Sequence, residues 1–219
     1  MNRLSQPIEE RGCSRERTIT VKQPSIVARF FKRTFDIVCA VIGLITFSWL
    51  MLIIWVAIKL EDHGPAIFHQ ERIGLGGKPF TLHKFRSMIV EAEADGAQLY
   101  HDGDDRLTKV GRFIRDHHID ELPQLWNVLK GDMSFVGYRP ERQVFIDQIM
   151  EYDPRYELLY VMRPGLFSMA TLYNGYTDTM EKMLERLRMA LEYMTNCSFW
   201  LDMKIITLTA VSILTGKKF

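Results

Sequence analysis

Residues 37–58, IVCAVIGLITFSWLMLIIWVAI, form a run of 22 residues without one charged side chain. As a helix it extends about 33 Å, roughly the hydrocarbon thickness of a bilayer. A secretory signal is a poor reading, because the apolar stretch is too long, starts 36 residues in and is followed by no small-residue cleavage site. A membrane-associated helix is therefore expected within residues 25–60. Arg29, Lys32 and Arg33 precede the run, which by the positive-inside tendency keeps its N-terminal side cytoplasmic. A crossing helix would place everything after Lys59 outside the cytoplasm, whereas a helix that enters and turns back would keep both ends inside. A sharp turn needs a local cause, and Gly43 and Ser48 are the candidates, since the run holds no proline. The third alternative, a buried core helix of a soluble protein, is disfavoured by the lack of any polar face.

Outside this run the chain reads as one folded unit. Its 219 residues, 47% hydrophobic and 25% charged, exclude a collagen-like or wholly disordered chain. A soluble chain of this length buries roughly 70% of its unfolded surface. Lys and Arg number 28 against 27 Asp and Glu, so no global positive field exists to hold nucleic acid. Cys13, Cys39 and Cys197 are an odd number without metal-type spacing, which argues against a disulfide framework and a zinc site and fits a reducing, cytosol-facing location.

Residues 1–24 mix charges with Ser, Gln, Gly and Pro and are expected to form a mobile tail. The β-prone runs 66–69 and 79–85, separated by Gly74-Leu75-Gly76-Gly77, predict a small hairpin. Those glycines are not a nucleotide fingerprint, because no strand-then-helix pattern surrounds them. The acidic stretch 91–105 predicts an exposed loop after a short helix. From Glu121 onward, Leu122, Leu125, Trp126 and Leu129 make one apolar helical face, with Asp120 at or near its N-terminus and Pro123 tolerated in the first turn. A further helix is signalled by Asp178 and Glu181 ahead of Met180, Met183, Leu184, Leu187, Leu191 and Met194, a stripe most simply read as packing. Residues 199–214 place Phe199, Trp200, Met203, Ile206, Ala210, Ile213 and Leu214 on one broad face, suited equally to a membrane surface or a core. The fold class expected is helix-rich α/β, with residues 61–219 as the catalytic domain.

The polar residues with the most chemistry are Lys84, Arg86, Arg115, Asp120, Glu121, Arg139, Arg142 and Arg163. Cations around one acidic pair suggest a site for phosphate groups and a divalent metal. In such a pair one carboxylate can hold Mg²⁺ while the other attacks phosphorus. Planar guanidinium groups match phosphate oxygens bidentately. Taken alone, Asp120 and Glu121 would serve as a helix cap, His117 and His118 as solvated or structural residues, and each arginine as a surface residue. Their combination raises the odds of a site.

That combination resembles a family. Lys32-Arg33-x-x-Asp36, Lys84-Phe85-Arg86-Ser87-Met88, Asp120-Glu121-Leu122-Pro123-Gln124-Leu125, the stretch from Asn127 to Ser134, Arg139-Pro140 and Arg163-Pro164-Gly165 are similar to the bacterial sugar transferases, the monotopic phosphoglycosyl transferases. The resemblance covers residues 30–215, and the length matches the family's small single-module form. It implies a re-entrant helix in the cytoplasmic leaflet of the bacterial inner membrane and a catalytic domain at the interface. It implies that Asp120 attacks the sugar-linked phosphorus of a UDP-sugar, expels UMP and forms a phosphosugar-enzyme, which polyprenyl phosphate then attacks. Glu121 would hold Mg²⁺, and Lys84, Arg86, Arg115, Arg139 and Arg163 would bind phosphate or substrate. The product would begin a capsule, exopolysaccharide or O-antigen, with downstream glycosyltransferases and a second copy of the chain as further candidate partners.

Four departures from the family's pattern stand out. Trp49 follows Ser48 where the family commonly has proline. Tyr138 opens the Pro-Arg-Pro motif, and Ser168 and Thr171 replace the usual Gly and Gln, changes expected to alter the sugar or nucleotide pocket. Ala190 stands where an Asp is usual. Two other readings stay open: a metal-dependent nucleotide-sugar phosphodiesterase with water as acceptor, and a non-catalytic membrane partner for other glycan enzymes.

Overall fold

The computed structural model describes residues 25–94, 96, 98–99, 103–173 and 177–215. The expected tail at 1–24 and residues 95, 97 and 100–102 of the expected acidic loop lie outside them. Helix α1 (Ile26–Glu61) is followed by strands β1 (Ile67–Ile73) and β2 (Pro79–Phe85), then helices α2 (Lys109–Asp116) and α3 (Gln124–Lys130). Strand β3 (Ser134–Val136), helix α4 (Gln143–Tyr152), strand β4 (Gly165–Phe167) and helices α5 (Met169–Tyr173), α6 (Met180–Asn196) and α7 (Phe199–Leu214) complete the order. The result is a helix-rich α/β fold.

Helix α1 starts where the Ser25 hydroxyl accepts a hydrogen bond from the Ala28 amide at 3.1 Å. It then runs as one helix through Gly43 and Ser48, so the expected turn at those residues is absent. The Ser48 hydroxyl donates to the Ile45 carbonyl at 2.8 Å and so is satisfied inside the helix. Gly43 serves packing instead: a Cβ there would lie 3.0 Å from a Leu125 methyl. Ala40, Ile54 and Ile58 are buried on the face that meets the domain, while Ile45, Trp49, Leu52 and Leu60 are exposed. Only 11% of the most apolar stretch of α1 is buried, so the core-helix alternative does not describe it.

Polar contacts fasten both ends of α1 to the same domain. Near the start, the Arg33 guanidinium donates to the carbonyls of Val128 (2.6 Å) and Leu129 (2.7 Å), in the last turn of α3. Those carbonyls have no helical partner of their own, and a cation suits that end of the helix dipole. Asp36, buried, accepts from the Phe135 amide at 3.0 Å. Lys32 pairs with Asp202 of α7 at 2.5 Å, and the Tyr193 hydroxyl of α6 donates to the other oxygen of Asp202 at 2.6 Å. At the far end the Glu61 carboxylate accepts from the amides of Lys109 (2.7 Å) and Val110 (3.0 Å), in the first turn of α2.

The hairpin forms as expected, antiparallel from Ile67 opposite Phe85 to Ile73 opposite Pro79. Gly76 and Gly77 in its turn take φ of 71° and 69°, which glycine adopts without strain. Strand β1 continues past the predicted residue 69 because residues 70–73 pair with 82–79 of β2, and its charged Arg72 pairs with Glu141 at 3.0 Å. A second sheet, β3 with β4 in parallel, brings Gly137 and Gly165 so close that a Cβ on Gly165 would sit 2.0 Å from the Gly137 nitrogen. The main core joins α4, the turn at 154–161 and α6 through Ile146, Ile149, Leu159, Leu187 and Leu191. The methionine stripe of α6 is packing, with Met183 and Met194 in that core. Thr179, not Asp178, caps α6, and Asp178 pairs with Lys182 at 2.6 Å. On α7 the buried stripe is Asp202, Ile205 and Thr209, while Phe199 and Trp200 are exposed. The apolar face read from sequence is not the buried one, because Asp202 is drawn inward by Lys32 and Tyr193.

Candidate active site

A cavity of about 280 Å³ opens between the hairpin, the turn at 119–121, the segments 86–93 and 139–142, and residues 98 and 99. Lys84, Arg86, Arg115, Asp120, Glu121 and Arg139 all line it. Asn127 holds the parts together: its side chain accepts from the His83 amide at 3.0 Å and donates to the Thr81 carbonyl at 2.7 Å, locking α3 to β2. Lys84 extends from β2, and Asp120 and Glu121 stand on the turn that precedes α3. That helix begins only at Gln124, so the acidic pair sits outside it. No side-chain cap is made at either element, and the capping role of Asp120 and Glu121 is thereby excluded.

The two carboxylates have different surroundings. Glu121 accepts from Arg139 Nη2 at 2.8 Å. Burial favours the neutral acid, but the charge and hydrogen bond of Arg139, with Lys84 beyond, hold Glu121 well below the usual carboxylate range. Asp120 is 4% exposed, and burial together with the Glu121 charge pushes it up, against the pull of Lys84, Arg115 and Arg139. Arg139 is raised by Glu121. Lys84 is lowered to about 8, first by burial and then by the charge of Arg72. One carboxylate is thus a fixed anion and its neighbour a more basic one.

Two predicted residues fall elsewhere. Arg163 is not among the cavity-lining residues; its Nε donates to the Gly131 carbonyl at 2.8 Å, just past α3. Tyr138 is 1% exposed and lies behind the cavity in the core that also contains Ala190, so these two departures from the family pattern meet each other and not the substrate space. Tyr138 is therefore not the change in pocket lining expected from sequence. Thr171 does line the cavity, where its hydroxyl meets that of Ser168 at 2.6 Å.

Sequence reasoning missed His118, which lines the cavity beside the acidic pair and has φ of 55°, the one positive φ outside glycine among the described residues. His117 is exposed, with Nδ1 2.8 Å from the Phe113 carbonyl, so the two histidines have separate environments. Glu141 was also missed: it is buried, takes Arg72 on one oxygen and Arg186 on the other, and so holds two further cavity-lining cations. A charged residue beside Arg139-Pro140 carried no pattern that would have revealed this.

For a divalent metal, among the described residues no group of three or more His, Cys, Asp or Glu converges. Of the cavity-lining carboxylates, Glu141 takes Arg72 and Arg186 and Glu93 takes Arg142, while Asp120 and Glu121, whose Oε1 takes Arg139, are the adjacent pair that would hold an ion. Mg²⁺ is commonly held by one or two carboxylates together with water and substrate phosphates, so this donor set fits an ion completed by a diphosphate.

Comparison with known proteins identifies the family. The sequence profile of the family described as bacterial sugar transferase matches residues 27–216. The chain is 45% identical over 193 residues to a UDP-N-acetylgalactosamine-undecaprenyl-phosphate N-acetylgalactosaminephosphotransferase of Aeromonas hydrophila, covering 88% of this chain and 46% of that protein. It is 42% identical over 194 residues to a UDP-glucose:undecaprenyl-phosphate glucose-1-phosphate transferase of Caulobacter vibrioides, covering 88% of this chain and 73% of that one. A protein of Escherichia coli bearing the same name is 42% identical over 185 residues, 40% of its length. The chain thus spans less than half of the Aeromonas and Escherichia relatives. With the profile spanning membrane helix, hairpin, acidic turn and arginine segment together, the chain belongs to the bacterial sugar transferase family.

Proposed function

We propose that this protein moves a sugar 1-phosphate from a UDP-sugar to undecaprenyl phosphate through a covalent intermediate on Asp120. The observation that carries this reading is the unequal acidic pair: Glu121 is neutralised by Arg139, while Asp120 stays buried, basic and open to a cation-lined cavity. An Asp120 oxygen forms a bond to the sugar-linked phosphorus as the bond from that phosphorus to the bridging oxygen breaks, and UMP leaves with the bond's electron pair. An oxygen of the lipid phosphate then attacks the same phosphorus, the bond to Asp120 breaks, and the carboxylate returns. Neither step needs a proton, so cations do the work. Lys84, Arg115 and Arg139 offset charge on the transferring and departing phosphates. Bound Mg²⁺, held by Glu121, would supply further positive charge at the diphosphate.

Membrane attachment suits a lipid acceptor. A helix tied at Arg33, Asp36 and Glu61 to one folded unit keeps both ends on that unit's side, which supports a monotopic arrangement on the cytoplasmic face of the inner membrane. The product would begin a capsule, exopolysaccharide or O-antigen. Incubation with a UDP-sugar in the absence of lipid tests the intermediate. Intact-mass measurement is expected to show a gain of one phosphosugar, absent from Asp120→Asn. An unmodified mass with full turnover would reject the covalent route.

A further inference from the structure

Among the cations that line the cavity, two sets of surroundings differ. Lys84 and Arg139 surround the acidic pair. Arg86, 5% exposed, lies at the end of α1. Its Nη2 holds Asp62 through the carbonyl at 3.2 Å and the carboxylate at 3.3 Å. Its Nε and Nη1 are buried with no hydrogen-bond partner among the described residues. Buried donors are rarely left unmade, so a partly satisfied guanidinium in a cavity wall implies an anion that arrives with a ligand.

What lies beside Arg86 identifies that ligand. Gly64 has no room for a side chain, since a Cβ would come within 2.0 Å of Arg86 Nη1 and 2.7 Å of a Val90 methyl. Arg86 and Val90 therefore meet over the residues that leave α1. Ile89 and Val90 line the cavity yet are 48% and 60% exposed, and Pro65 lines it immediately after α1. Leu60, in the last turn of α1, is 77% exposed and continues the apolar face of the helix to this point. A nucleotide sugar carries no hydrocarbon tail to place on an exposed apolar rim that leads to the membrane-length helix, whereas a phosphate on a prenyl chain needs both an anion site and an apolar exit toward the bilayer.

We infer that this mouth is the acceptor subsite, where Arg86 receives the lipid phosphate and Ile89, Val90 and Pro65 receive the first isoprene units. The inference rests on the transferase reading above. It divides the cavity into a donor end at Arg139 and a lipid end at Arg86, with Asp120 reached from both.

The test is steady-state kinetics of the full chain in nanodiscs with three variants: Ile89→Ser with Val90→Ser, Arg86→Gln, and Arg86→Lys. The rim variant is expected to raise KM for undecaprenyl phosphate about tenfold while KM for the UDP-sugar moves less than about twofold. It is also expected to shrink the preference for undecaprenyl phosphate over a ten-carbon prenyl phosphate. Arg86→Gln should raise KM for both lipid phosphates alike, with partial recovery in Arg86→Lys. An unmoved acceptor KM in the rim variant, or equal rises for donor and acceptor, overturns the subsite. If Arg86→Gln does not fold, the rim variant decides alone, because its side chains already face water. Failure of the unmodified protein to use any polyprenyl phosphate would instead overturn the transferase reading.

Discussion

Arg139 and Glu121 share a 2.8 Å ion pair that removes one of two adjacent carboxylates from competition and leaves Asp120 the more basic of the two. The pair is partly buried, so breaking it from either side strands a poorly solvated charge. Arg139→Gln is predicted to lower kcat about 100-fold, the scale of losing one aligned cation at developing charge. Arg139→Lys should recover little, because a point charge does not reproduce the planar donor. Steady-state UMP release checks both, and a fully active Arg139→Lys would contradict the role.

Lys84 is predicted to set the alkaline limit of activity. Its value is lowered to about 8 by burial and by Arg72. Phosphate binding needs the cation, and the proton leaves as pH rises through that value. The predicted kcat/KM is therefore level near neutrality and falls above about pH 8, since this ratio reports the free enzyme. Lys84→Arg should move the fall to higher pH. A limb that stays in place in that variant would assign it to another group.

The contact between Asp36 and the Phe135 amide anchors the membrane helix. Asp36→Ala leaves that amide without its partner and is predicted to lower stability by about 1–3 kcal/mol. Thermal unfolding in detergent measures the loss. An unchanged transition would show that the other anchors, Arg33 and Lys32, suffice.

How far the sequence foretold these parts depends on the range of the contacts. The membrane helix, the hairpin and the α6 stripe announce themselves through periodicity and charge, which are local. The acidic pair and most of its cations were legible as a set, although only the fold shows that Glu121 takes Arg139 while Asp120 does not. Strands β3 and β4 have three residues each and were invisible, because nothing in their pattern marks a partner 31 residues away. The inward turn of Asp202 was hidden for a similar reason: its cation, Lys32, lies 170 residues earlier. Cap placement failed by one residue at Thr179, where Asp and Thr are both competent and the side-chain geometry decides.

The double fastening of α1 makes the proposed topology testable. Single cysteines placed near Arg33 and near Lys59, in a chain lacking Cys13, Cys39 and Cys197, are predicted to be shielded from an impermeant thiol reagent in intact cells. Labelling at Lys59 alone would establish a crossing helix.

The central claim is tested most directly by UMP release from the purified protein in nanodiscs with Mg²⁺. The assay runs across a panel of UDP-sugars, with and without undecaprenyl phosphate, for the unmodified chain and Asp120→Asn. Sustained, lipid-dependent release from one or a few sugars, lost in Asp120→Asn while the protein stays folded, is the predicted result. Sustained release without lipid would make the protein a hydrolase, and full activity in Asp120→Asn would contradict the nucleophile outright.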